Sequence, residues 1–186
     1  MLKSIVPALL VIGSVSSVIA EDTAQSVVGF EFGATFNLYN DSRFDGNSTN
    51  FALVFPVGKS FNISVYHEQG HIHGQEDGAD TNYDVDINQI RVGIDVWESQ
   101  NGSQQVALQL GFGNASYTGG ITEDEMVTDV AVRYSPIRAK NGPVAGALNV
   151  TATYRYAPLN NVAGGLTNTV DDLGGFMIGL GAGLYF

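Results

Sequence analysis

Two groups of side chains in this chain have the types and spacing for chemistry. The first is Glu31, Asp95 and Asp129 with Arg91, Arg133 and Arg155, six charges that fall on the polar side of otherwise alternating stretches. Carboxylates and guanidiniums shut away from water must pair, because unpaired charge there is expensive to desolvate. The second is His67, His71 and His73 with Glu68, Glu76, Asp77 and Asp80, and imidazole with carboxylate is a donor set for zinc, copper or nickel. That histidine stretch is glycine-rich and reads as a long solvated acidic loop, so a preformed metal site is not expected and no cofactor is assigned. For nucleophilic catalysis, His67 could approach Ser64 or Ser116 only by an accident of register, and no triad can be assembled. The expectation is a protein that is not an enzyme.

The elements that position these charges are strands. The last stretch, Gly174 to Phe186, sets Phe176, Ile178, Leu180, Ala182, Leu184 and Phe186 against Met177, Gly179, Gly181, Gly183 and Tyr185. Strict alternation marks a strand with two different faces. In a soluble protein such an apolar end strand would be an exposed edge; in a closed barrel it pairs with the first strand and meets lipid. The first strand, about Val27 to Tyr39, alternates in the same way, with Glu31 on its polar face. Six more follow, beginning near Phe51, Phe61, Tyr83, Val106, Asp129 and Val144. In the fourth, Tyr83, Val85 and Ile87 share one parity and Ile90, Val92, Ile94 and Val96 the other. A β-bulge at Asn88-Gln89 would reconcile them and turn Arg91 and Asp95 inward. Inward glycines on the fifth and last strands (Gly111, Gly113, Gly179, Gly181, Gly183) leave room for arginine, tyrosine and Trp97 side chains from across the lumen.

Connectors alternate between long polar loops and short turns, the pattern of outer-membrane barrels with long loops outside and both termini periplasmic. Acidic residues crowd the long loops. Tyr39, Tyr83, Tyr117, Tyr154 and Tyr156 at one rim, and Trp97, Tyr134 and Phe186 at the other, suggest two aromatic girdles. The fold class expected is therefore all-β: an eight-stranded antiparallel up-and-down transmembrane barrel.

The bulk numbers agree. The chain has 186 residues, no cysteine and a formal net charge of −11, which excludes disulfide and thiolate chemistry and argues against nucleic acid. Residues 1–20 carry Lys3, an apolar run and Val18-Ile19-Ala20 before Glu21, the marks of a cleaved secretory signal, which leaves 21–186 as one barrel domain.

The ending, with Gly181, Leu184 and terminal Phe186, resembles the C-terminal assembly signal of bacterial outer-membrane barrels, although Gly179 stands where a polar residue is usual. With eight strands, the chain resembles the small outer-membrane barrels typified by the OmpA transmembrane domain and OmpX. That resemblance implies the bacterial outer membrane, contact with lipopolysaccharide and the barrel-assembly machinery, a monomer, and a role in envelope integrity, adhesion or minor permeability. An interior of this size is filled by side chains, so the inward charges read as a structural plug and the acidic outer loops as the interaction surface. The alternatives are a narrow pore or transport path, and a lipid-modifying enzyme of the same architecture.

Overall fold

A computed structural model describes residues 28–76, 79–118, 125–141, 144–158 and 172–186. The expected signal segment, and Asp77, Glu123, Asp124 and Asp171 of the expected acidic loops, lie outside the described residues. Eight antiparallel strands follow in chain order: β1 (Gly29–Tyr39), β2 (Phe44–Val57), β3 (Phe61–Glu76), β4 (Ala79–Glu98), β5 (Gln105–Thr118), β6 (Glu125–Asn141), β7 (Val144–Tyr156) and β8 (Gly175–Tyr185). Each pairs with its neighbour and β8 with β1, giving a closed barrel. At the seam the Phe186 amide donates to the Val28 carbonyl at 2.9 Å, and the Phe186 ring meets Phe30 edge-on at 6.2 Å. Closure leaves no open edge, which is what a sheet bounded by hydrocarbon needs.

The pairing fixes the barrel's dimensions. Followed once round, Gly29 leads through Val54, Ser64, Arg91, Gly111, Asp129, Arg155 and Gly175 to Tyr39, a displacement of ten residues (39 − 29). With a rise of ~3.3 Å per residue and strands ~4.8 Å apart, a shear of ten over eight strands means a tilt of about 41°. At that tilt the 20 residues of β4 extend about 50 Å along the axis, twice the ~25 Å apolar band of such barrels. Part of β3 and β4 must therefore stand in water.

The outer surface shows where. Ile90, Val92 (partly), Ile94 and Val96 on β4 and Leu108, Leu110 and Phe112 on β5 face outward and form the apolar band with Phe30, Phe32, Phe36, Leu180 and their neighbours. Above it, on the same outward parity, β3 carries His67, Gln69, His71 and His73, and β4 carries Asn88, Asp86, Asp84 and Asn82. The inward face changes in the opposite sense. Phe44, Ile72, Tyr83, Val85, Ile87, Ala115, Tyr117, Val127, Ala157 and Leu173 form a buried apolar cluster inside this extension, with Tyr39 against it.

This corrects four expectations. The histidine stretch is not a loop but part of the β3–β4 hairpin. No bulge interrupts Asn88-Gln89: β3 and β4 pair without a shift from Phe61↔Ile94 to Glu76↔Ala79, and Tyr83, Val85 and Ile87 point inward with Arg91 on one unbroken parity. The irregularity in β4 lies between Asp95 and Trp97, and it turns Trp97 outward, 48% exposed, instead of into the lumen. Tyr39, Tyr83 and Tyr117 belong to the interior cluster and not to an outer girdle, whereas Tyr154 and Tyr156 do face outward. Trp97, at the other end of β4, is turned by that irregularity, and the other three share one physical reason. Past the lipid boundary the solvent is outside and the dry space is inside, so the apolar side of each strand changes while its geometry does not.

The β1–β2 turn at this end is held by Asp41, whose carboxylate accepts from the Arg43 amide at 3.0 Å and from its guanidinium at 2.5 Å. Hydrogen bonding to Arg43 holds the Asp41 carboxyl below its ordinary value. The turn's contribution is therefore present above the unfolded carboxylate's pKa of about 3.9 and is lost as pH falls through the depressed folded value. A carbon-detected titration should show Asp41 with a midpoint below that of a free aspartate, and Arg43→Ala should restore it.

Candidate functional site

The candidate site is the lumen. Its upper half is organised by Arg155 on β7, whose Nε and Nη2 donate to the two oxygens of Asp129 at 2.8 and 2.9 Å. The same guanidinium donates from Nη1 and Nη2 to Glu68 at 3.1 and 2.8 Å. Two bidentate forks use the planar donor set that distinguishes arginine from lysine. Glu68 also accepts from Ser48 Oγ at 2.7 Å and from the Tyr66 hydroxyl at 2.6 Å. Arg91 closes the group, donating from Nη2 to Asp129 at 2.6 Å and from Nε to Gln89 at 2.9 Å while its guanidinium lies 3.2 Å from the Tyr66 ring centre. Two guanidiniums thus balance two carboxylates, and all four side chains are buried.

The backbone makes this contact possible. Arg91, Gly111, Asp129 and Arg155 lie on one row of paired residues running across β4 to β7. Gly111 stands between Arg91 and Asp129, and a Cβ there would sit 3.1 Å from Arg91 Cγ and 3.3 Å from its Nε. The glycine is the gap through which Arg91 crosses one strand to reach its partner.

The lower half is smaller. Glu31 on β1 accepts from Arg133 on β6 across the lumen and from the hydroxyl of Tyr185 on β8. Ser135 Oγ donates to Asn149 at 2.7 Å nearby. Between the two groups lies a cavity of about 50 Å³ edged by Glu31, Tyr66, Arg91, Arg133, Arg155 and Gly179. At ~10–15 Å³ per water this holds a few water molecules and no larger solute. The Arg133 Nε is unpartnered among the described residues, which suits such hydration. Above everything sits the apolar cluster, in the interior at the end opposite Val28 and Phe186.

Of the six residues expected in the lumen, the structure brings Glu31 together with Arg133, and Arg91 and Arg155 with Asp129. Asp95 is half-buried and takes part in none of these ion pairs, and its Oδ1 is unpartnered among the described residues. Glu68, assigned from the sequence to an outer loop, is instead the fully buried second carboxylate of the upper group, and Glu125 also points inward at 5% exposure. The missed signal was the continued alternation of Asn62, Ser64, Tyr66 and Glu68 along β3. At the C-terminus, Leu184 and Phe186 face outward and Gly181 faces the lumen opposite Gly33.

The three histidines share the outer face of β3, each hydrogen-bonded by Nδ1 to an oxygen on β4: His67 to Asn88 at 3.0 Å, His71 to Asp84 at 2.5 Å and His73 to Asn82 at 2.6 Å. Ser64 points to the opposite side of β3 from His67, and Ser116 on β5 has β4 between itself and His67. Neither serine forms a nucleophile–base pair with this histidine.

No protein-family description and no curated protein matches the chain. Among solved structures it is similar to the outer membrane enzyme PagL, at 10% identity over 81% of this chain and 97% of that one, with a TM-score of 0.49. It is also similar to Neisserial surface protein A (NspA), at 14% identity over 86% and 96% of the two chains and a TM-score of 0.45. The beta domain of the Bordetella autotransporter BrkA follows at 11% identity, covering 88% and 99%, with a TM-score of 0.34. In fold the chain is an eight-stranded antiparallel closed barrel.

Proposed function

We propose that this protein is a non-enzymatic scaffold of the bacterial outer membrane, serving envelope integrity or surface interaction through the part of the barrel that stands above the lipid. The observation that carries the reading is the filled interior: a dry apolar cluster across the outer end, with charge-balanced ion pairs beneath it. An interior built this way supports a rigid stave and leaves a solute no route. The outward apolar band supports the membrane placement. The tall polar β3–β4 hairpin supports an outer end facing away from the cell, with the termini and short turns on the periplasmic side.

Among the described residues the surface on offer is a sheet. Asp45, Asp80, Asp84 and Asp86 stand on it, and divalent cations shared between these carboxylates and lipopolysaccharide phosphates are the contact this reading predicts with its surroundings. Phe186, seated on Phe30 at the seam, is the residue this reading gives to the assembly machinery.

The test is electrical. The folded full-length mature chain, reconstituted in planar bilayers, should give no steady conductance above the bare membrane. A stable open level in most insertions would replace the scaffold by the pore alternative.

A further inference from the structure

The outer face of β3 holds a feature that neither the band nor the lumen explains. His71 and His73 are two residues apart on one strand, so their side chains leave the same face about 6.7 Å apart along it. Both are exposed, His71 with 68% of its side chain accessible. Each ring is held from behind by an oxygen on β4, Asp84 Oδ1 for His71 and Asn82 Oδ1 for His73. An oxygen acceptor at Nδ1 places the ring hydrogen there and leaves the lone pair on Nε2. A carboxylate or amide oxygen behind Nδ1 is also the support that metal-bound imidazoles receive, because it orients the ring and raises its basicity.

From this juxtaposition we infer that His71 and His73 form a two-imidazole site for a late divalent transition metal, binding through their Nε2 atoms on the outer face of the hairpin. Two nitrogen ligands of this kind suit nickel, copper or zinc over magnesium or calcium. Among the described residues no three ligand-type side chains converge on one point, so water completes the coordination and the affinity is moderate. The surrounding charge helps: Asp84 opposite His71 on β4 and Asp45 opposite His73 on β2 face the same way. His67 lies four residues from His71 and is outside the pair's reach. The inference does not depend on whether the lumen is closed.

Calorimetric titration of nickel chloride into the untagged, folded full chain in detergent micelles tests it. The expected result is about one ion per chain with micromolar affinity, weakened at least ~10-fold by His71→Ala and by His73→Ala and changed less than about twofold by His67→Ala. Asp84→Asn, which keeps an oxygen behind the ring but removes its charge, should weaken binding by less than either histidine change. Retention of the heat signal in the His71→Ala/His73→Ala double variant would overturn the site, as would a loss in His67→Ala equal to that in His71→Ala. Absence of heat at 0.1 mM protein on the order of a hundred times the expected dissociation constant would overturn it too. The heat-induced mobility shift on a detergent gel, required to be intact in every variant, separates lost binding from lost folding.

Discussion

Arg155→Met should lower the free energy of folding by about 3–5 kcal/mol, among the largest losses available to a single substitution in this barrel. The side chain is buried and donates four hydrogen bonds to two carboxylates, Glu68 and Asp129, which are themselves about 1% exposed or less. Methionine fills similar space, so the loss is not a cavity effect. It comes from leaving Glu68 with only the Ser48 and Tyr66 hydroxyls and Asp129 with only Arg91. Removal of one member of a buried group costs more than removal of charge altogether, because the survivor's desolvation is no longer offset. The double variant Arg155→Met/Glu68→Gln should therefore be more stable than Arg155→Met alone. Reversible urea titration in lipid vesicles reads both, with Lys59→Met, on an exposed turn, as the control near zero. A loss under ~1 kcal/mol for Arg155→Met would mean the upper lumen is wet enough to solvate its own carboxylates.

The lumen charges show how far sequence reasoning reaches. Arg91, Asp129, Arg133 and Arg155 were legible as inward residues because each alternates with apolar neighbours that lie inside the lipid band, where the rule that the apolar side faces out holds. The eight strands, their order and the β1–β8 seam follow from that rule as well. Glu68 was not legible, although it obeys the same alternation, because the residues around it include glycines usually taken as loop signals. In the structure Gly74 is a strand residue whose missing side chain makes room for the Phe44 ring across the β2–β3 pairing. The apolar residues of the upper hairpin were misleading in a different way. Tyr83, Val85 and Ile87 looked lipid-facing because they are apolar, and a bulge was needed to reconcile them with Ile90 and Val92. The observation that dissolves the conflict is length: 20 residues is too many for one membrane crossing, so some of the strand must have water on its outer side.

If the two faces of each strand exchange solvents at the lipid boundary, charge substitutions should map that boundary from both sides. Outward Leu110 on β5 lies in the middle of the apolar band, between Leu108 and Phe112. Leu110→Arg should cost about 2–4 kcal/mol, the penalty for arginine near the midplane. Outward Asn114, two steps above Phe112 on the same strand and face, is paired with Asn88 and lies past the boundary. There the same change should cost no more than about 1 kcal/mol. Inward positions should reverse the order. Ile87 and Ile72 are each 1% exposed inside the upper apolar cluster, and Ile87→Asp or Ile72→Asp would bury a carboxylate among apolar side chains. That should cost several kcal/mol and abolish the heat-stable folded band, even though both residues lie above the lipid. Inward Gln109, two steps below Gly111 beside the central cavity, should accept Glu at a smaller cost, since that chamber has room for water and is edged by arginines. A single lipid-facing stripe along all of β4, with a bulge at Asn88, predicts the opposite for Ile87: an outward residue near the headgroups, where Asp costs little. One vesicle-based urea series over Leu110, Asn114, Ile87 and Gln109 therefore decides which face of the hairpin is dry.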